Sequence, residues 1–161
     1  MDVDLEELKA AVLQVAVLGT VDLSPAAVYL EFLPAPHRPP TALPQDMQAI
    51  YAFLLGDGCL KVGKAGPKTQ ARFTSQHYGF NAPSTLAKSL LRNPSPAATL
   101  LPTERASEPW DLAEATVGAW LKDNTSRLHL FIPAAVGGLP LTLMEGFMQC
   151  RLRPVFEGRS S

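Results

Sequence analysis

Glu145 stands in the middle of a stretch, Leu141 to Leu152, that is apolar nearly all round, and it is the only acidic residue between Asn124 and Phe156. A carboxylate in such a helix is costly unless a cation or a hydrogen-bond donor meets it. Two readings follow: a bond at the helix edge to a nearby Arg or backbone group, or a metal ligand. The basic residues lie upstream. Residues 58–103 hold six of them (Lys61, Lys64, Lys68, Arg72, Lys88 and Arg92) and no Asp or Glu, whereas residues 1–57 hold two basic and eight acidic groups. The net charge of −1 thus hides a basic middle behind an acidic front. Such asymmetry suits a local phosphate-binding surface. Tyr51 reads on its own as a strand aromatic packing in the core, and His77 as a surface histidine at a helix end. Lys68, Lys88 and Arg92 read as a solvated, phosphate-facing surface, and His37 and His129 carry no signal.

The elements that must position these groups follow from local pattern. Asp4-Leu5-Glu6-Glu7 resembles a capping box opening a helix that stops at Gly19. Ser24-Pro25 places an N-cap before a proline, predicting a second, short helix through Leu33. Five prolines between Pro34 and Pro44 read as a linker. From Met47 the runs Ile50–Leu55 and Cys59–Gly63 around Gly56-Asp57-Gly58 predict a β-hairpin. A helix is expected from about Lys68 to His77, another from Ser84 to Asn93, and a third from Ser107 to Asp123 with Trp110, Ala113, Val117 and Trp120 facing the core. Leu128 to Ile132 reads as a third strand, and Pro140 starts a last helix running to Leu152. The expected class is therefore α/β (α+β): a small three-stranded antiparallel sheet flanked by helices. The expected organisation is an N-terminal helical appendage over 1–33, a Pro-rich linker over 34–46 and one domain over 47–161.

Ala49-Ile50-Tyr51, nine intervening residues, Lys61-Val62-Gly63-Lys64, then Arg72 and His77, and finally Glu145 form an ordered series. In this series the chain resembles the GIY-YIG nuclease family, whose members carry a G-I-Y strand, a Y-I-G strand, an Arg on the next helix and a lone Glu on a later one. The resemblance covers about Met47 to Gly158 and includes Gln76-His77-Tyr78, Ser84-Thr85-Leu86-Ala87-Lys88 and the ending Arg153-Pro154-Val155-Phe156. It looks like a divergent bacterial, stand-alone branch. Departures are Ala49 for the first Gly, Lys61 for the second Tyr, Glu157 where many members have Asn, and one extra residue between Gly63 and Arg72.

The resemblance implies a hydrolase, a metal-dependent endonuclease acting on nucleic acid with DNA as the expected substrate. It implies one Mg²⁺ or Mn²⁺ ion, for which Glu145 is suited because Mg²⁺ takes one or two carboxylates and keeps several waters. Arg72 can clamp the scissile phosphate bidentately with Lys64 beside it. Tyr51, Lys61 and His77 are candidates to orient or deprotonate water, and Lys61 is expected across the hairpin from Tyr51, on the face opposite to Leu60. The alternative is a catalytically weak or inactive nucleic-acid-binding module with the same fold. Stand-alone members of such families often belong to restriction, phage-defence or mobile-element systems, a setting that only the resemblance implies here. A homodimer or a protein partner held through the N-terminal helices is a further expectation.

Composition bounds the rest. With 161 residues, 47% apolar and 18% charged, the chain is an ordinary globular one, not a disordered tract. No apolar run approaches the roughly 18–20 residues that span a bilayer, and the acidic start lacks a signal peptide's basic n-region. A cytoplasmic location without membrane contact is expected. Cys59 and Cys150 have no zinc or disulfide spacing and read as buried free thiols.

Overall fold

Nine consecutive residues of one strand are apolar or shielded on both sides, which demands a layer of helices on each face of the sheet. That strand is β2 (Met47–Leu55), and the computed structural model, which describes residues 2–157, surrounds it in this way. Ala49, Tyr51, Phe53 and Leu55 point into one core, and Ile50, Ala52 and Leu54 into the other. β2 pairs antiparallel with β3 (Gly58–Ala65) on one side and with β4 (Ser126–Pro133) on the other.

The sheet has four strands, not the expected three, in the order β1–β4–β2–β3. β1 is Tyr29–Leu33, within the segment expected to be a second N-terminal helix. Ser24-Pro25 does start a helical turn, but only a single 3₁₀ turn over Pro25–Ala27. The aromatic and aliphatic run after it then pairs antiparallel with β4, from Tyr29 opposite Phe131 to Leu33 opposite Arg127. The open edge of β4 outweighs the local helix-start signal, as β-prone side chains on a half-buried surface allow. The N-terminal segment is thus one helix plus one strand of the sheet.

α1 (Leu5–Leu18) is capped by Asp4, whose carboxylate accepts from the Glu6 and Glu7 amides at 3.0 Å, and it ends at Gly19. Leu8, Val12 and Ala16 bury against Leu141, Met144 and Met148 of the last helix, α6 (Gly138–Leu152). The segment expected to be a free linker is anchored too. Leu43 enters the core, and His37 is buried between the Thr125 carbonyl and the Tyr78 hydroxyl, at 2.6 Å from each.

On the opposite face lie the short helices α2 (Gln70–Thr74), α3 (Leu86–Arg92), α4 (Ser95–Ala98) and α5 (Val117–Asn124). Two further expectations are corrected here. The helix expected from Ser107 starts only at Val117. Glu108–Asp111 forms a 3₁₀ turn held by bonds to Glu108 from Arg105 and Trp120, leaving Trp110 exposed. The last helix is not buried all round, since Leu143 is 39% exposed, and Cys150 is exposed rather than buried. Among the described residues no helix is long and apolar enough to cross a membrane.

Candidate active site

A cleft of about 310 Å³ opens at the β3 edge of the sheet, and Tyr51, Lys61, Lys64, Arg72, His77 and Glu145 all line it. Five elements deliver them. Tyr51 comes from β2, Lys61 and Lys64 from β3, Arg72 from α2, His77 from a 3₁₀ turn over Gln76–Tyr78, and Glu145 from α6.

Tyr51 stands opposite Gly63, and Phe53 opposite Lys61. Lys61 is therefore diagonal to Tyr51 rather than across from it. It also does not face away from Leu60. Phe53 pairs with Lys61 and Leu54 with Cys59, so Leu60 is the extra residue of a β-bulge and joins the same core as Tyr51. The bulge lets an apolar and a charged neighbour serve one side of the strand. Gly63 has a packing reason: a Cβ there would lie 2.6 Å from Cζ and Oη of Tyr51. The Tyr51 ring crosses β3 through the space that the missing side chain leaves.

His77 is almost fully buried and both ring nitrogens are committed. Nδ1 accepts the Leu86 amide N–H at 3.2 Å, and Nε2 lies 2.7 Å from the Tyr51 hydroxyl. Burial, then Lys61, Arg127 and Arg72, pushes the imidazole down to about 3, so it is neutral. A neutral ring with an accepting Nδ1 must carry its hydrogen on Nε2. It therefore donates to the Tyr51 oxygen and has no free nitrogen with which to deprotonate water. Burial raises the Tyr51 phenol far above its ordinary range despite nearby Arg127 and Arg72. Tyr51 is a neutral hydroxyl whose own hydrogen is free for a group in the cleft.

The Glu145 carboxylate is paired. Lys64 Nζ lies 2.7 Å from Oε2 and also donates to the Thr142 hydroxyl at 3.0 Å, one turn earlier on α6. The carboxylate is met at the helix edge by a cation, as one reading of it expected, but the cation is Lys64 rather than an Arg. The side chains of Lys61 and Arg72 make no hydrogen bond or ion pair among the described residues, so two cations face the cleft, Lys61 with the Glu157 carboxylate in its vicinity.

Glu157 is a second carboxylate in the same cleft. The residues before it extend along the edge of β3, Val155 N–H to the Cys59 carbonyl and Phe156 N–H to the Leu60 carbonyl, each at 2.9 Å. At the next rung the Glu157 side chain takes the place of a carbonyl, accepting from Val62 N–H at 2.8 Å and from Gln149 at 2.7 Å. Burial raises its pKa, opposed by the Val62 bond. The sequence marks Glu157 only as a departure from a family pattern.

The three residues expected to touch nucleic acid beyond the cleft fare differently. Lys68 and Arg92 are exposed, on the turn before α2 and in the last turn of α3. Lys88 is half-buried and donates to the Ala82 carbonyl at 2.5 Å, tying down the loop whose residues Ala82 to Ser84 form one rim of the cleft. Its charge is legible in the sequence, but its use as a tether is not.

Among the described residues no group of three or more His, Cys, Asp or Glu comes together to hold a metal. Both Glu157 oxygens are engaged, whereas Glu145 has one oxygen without a partner among the described residues. This donor set fits a hard cation that takes one carboxylate and keeps most of its shell as water. No family model, curated protein or solved structure matches the chain.

Proposed function

We propose that the chain is a metal-dependent endonuclease of the GIY-YIG type, hydrolysing phosphodiester bonds in nucleic acid, with DNA as its substrate. The observation that supports this reading most is the convergence of Tyr51, Lys61, Lys64, Arg72, His77 and Glu145 on one cleft from five separate elements. Three of the six are cations, one is a hydroxyl with a hydrogen to give, and one is a carboxylate suited to a divalent ion.

Each residue has a role that its bonding allows. Arg72 and Lys61, unpartnered and facing the cleft, bind the non-bridging oxygens of the phosphate and offset the charge that develops on them. Tyr51 donates its hydrogen to an oxygen of the phosphate or of the attacking water. His77 fixes the direction of that hydrogen and is a positioning residue. Glu145 would hold Mg²⁺ or Mn²⁺, which supplies Lewis-acid polarisation of a phosphoryl oxygen. Lys64, displaced from Glu145, becomes a third phosphate ligand.

A plasmid-nicking assay with Mg²⁺ or Mn²⁺ tests the reading. Wild type is expected to nick, and Glu145→Gln to be inactive while folded. Unchanged cleavage by the folded variant would overturn the role of Glu145. The Lys64–Glu145 pair specifically favours a second reading, a binding module without turnover, because it occupies the carboxylate the ion needs. Retention of DNA in a gel-shift assay without nicking in either metal selects that reading.

A further inference from the structure

Behind the Tyr51 ring lies a charge that the cleft residues leave unexplained. Arg127, on β4, is fully buried, and no carboxylate pairs with it among the described residues. Its guanidinium carbon sits 4.8 Å from the ring centroid of Phe53, 5.1 Å from Phe73 and 5.6 Å from Tyr51. One terminal nitrogen donates to the Phe73 carbonyl at 2.7 Å and the other to the Tyr78 hydroxyl at 3.1 Å, while Nε has no partner. Aromatic faces and two hydrogen bonds offset part of the cost of dehydrating a guanidinium. An unbranched apolar side chain would fill the same aromatic box without that cost.

The placement suggests a use. The charged groups around His77 are Lys61 from β3, Arg127 from β4 and Arg72 from α2; Tyr51 from β2 and the Leu86 amide at the start of α3 are bonded to the ring. Lys61 and Arg72 face the cleft, so an anion bound there neutralises them. The same anion would favour a second proton on His77, on Nδ1. That proton would break the Leu86 bond. Only Arg127 is walled off from the cleft and keeps its full charge when the anion arrives.

We propose that Arg127 is a positioning residue of the cleft: its buried guanidinium, which no carboxylate among the described residues contacts, keeps His77 singly protonated on Nε2 when an anionic substrate is bound, and so holds the Tyr51 hydroxyl hydrogen directed at that substrate. Arg127 and His77 share the Tyr51 and Phe53 rings between them; the protonation claim does not need the nuclease reading, whereas its kinetic consequence rests on it.

The test uses the full chain labelled with ¹⁵N in histidine, with ring nitrogens followed by NMR against pH in wild type, Arg127→Met and Arg127→Lys. His77→Gln assigns the signal. Wild-type His77 is expected as the Nε2–H tautomer down to about pH 5, with or without a short DNA duplex. In Arg127→Met its titration midpoint should rise by roughly half a unit or more, further with the duplex bound, and Arg127→Lys should restore it. If the wild type nicks DNA, Arg127→Met should lower kcat with little change in KM and shift the acid limb of the rate profile upward. Absence of nicking removes the nuclease reading and leaves the NMR result standing. A folded Arg127→Met with the wild-type titration overturns the proposal. So does a wild-type His77 carrying its hydrogen on Nδ1 or protonated on both nitrogens at about pH 6. Should Arg127→Met not fold, Arg127→Gln, which keeps a donor for the Phe73 carbonyl without the charge, takes its place, with the same rise expected and an unchanged titration overturning the proposal.

Discussion

Gly63 and Lys64 are neighbours in β3, and the cleft depends on each for a different physical reason. At Gly63 the space an added methyl would need is filled by the Tyr51 ring, 2.6 Å from the position of a Cβ. Gly63→Ala must push the ring or the strand aside, which costs about 1–3 kcal/mol for an overpacked site. It also breaks the hydroxyl bond to His77. A lowered melting temperature with loss of cleavage is expected, whereas Gly66→Ala, where a Cβ meets nothing within 4 Å, should leave both nearly unchanged. Equal behaviour of the two variants would remove the packing argument. Lys64 competes with a divalent ion for the charge of the Glu145 carboxylate, whose Oε2 it meets at 2.7 Å. A partly exposed pair of this kind is worth about 0–1 kcal/mol. Lys64→Met should therefore bind Mn²⁺ up to about fivefold more tightly in titration calorimetry without nucleic acid, yet cleave more slowly because a phosphate ligand is gone. Weaker binding in the variant would show that Lys64 supports the ion rather than competing with it.

At the scale of elements, α3 organises the loop in front of it as well as packing in the core. Its N-cap Thr85 accepts the Lys88 amide N–H at 3.2 Å and donates to the Gly79 carbonyl at 2.7 Å, and the Lys88 ammonium reaches back to Ala82. Lys88→Met should loosen this rim and reduce cleavage, while the dependence of DNA binding on salt stays as steep as in wild type. Arg92→Ala, which removes an exposed cation, should flatten that dependence by about one unit of log–log slope if it meets a phosphate. The reverse pattern would make Lys88 the phosphate contact. Much of this arrangement was legible in the sequence where the signal is local. The Gly56-Asp57-Gly58 turn marks the hairpin, and Pro140 with Arg153-Pro154 brackets α6. β1 was not legible, because Tyr29–Leu33 is an apolar run interrupted only by Glu31, and its strand state depends on the edge of β4 far along the chain. Arg127 and His129 alternate with Leu128 and Leu130, so one face of the strand carries polar side chains. That face is covered by the helices that follow the hairpin, and neither side chain is exposed. The six cleft residues could be named from their order, but the bulge at Leu60 and the bonding of His77 arise only from tertiary packing.

The whole molecule ties its N-terminal part to the sheet more closely than a proline-rich linker suggests. Deleting residues 1–44 removes α1, β1 and the buried Leu8, Val12, Val28 and Leu43. At about 1.5–3 kcal/mol for each buried side chain of this size, against a net stability on the order of 5–15 kcal/mol, the truncated chain is expected to be insoluble or unfolded. A soluble, cooperatively melting product would show that residues 45–161 form a unit of their own. The same packing sets how stability responds to acid. Burial, then Lys61, Arg127 and Arg72, holds His77 at about 3, and burial, then Arg127 and His37, holds His129 at about 2. The 2.8 Å contact of His129 Nδ1 with Glu31 is thus a hydrogen bond donated by a neutral ring, not an ion pair. In the unfolded chain both rings titrate near 6.5. Between that value and their folded ones the unfolded state binds protons that the folded state refuses. Stability should therefore be fully present above about pH 6.5 and fall as the pH drops, by about 1.4 kcal/mol per pH unit for each ring. Glu157, raised by burial, acts in the opposite sense just above the ordinary carboxylate range and trims the slope there. Urea unfolding at several pH values between about 4 and 7 measures it, and replacing either His77 or His129 by Gln should flatten the slope by one proton. A wild-type stability that does not change over this range would mean that the two rings accept protons in the folded chain, and with them the neutral His77 on which the Tyr51 hydroxyl depends would be lost.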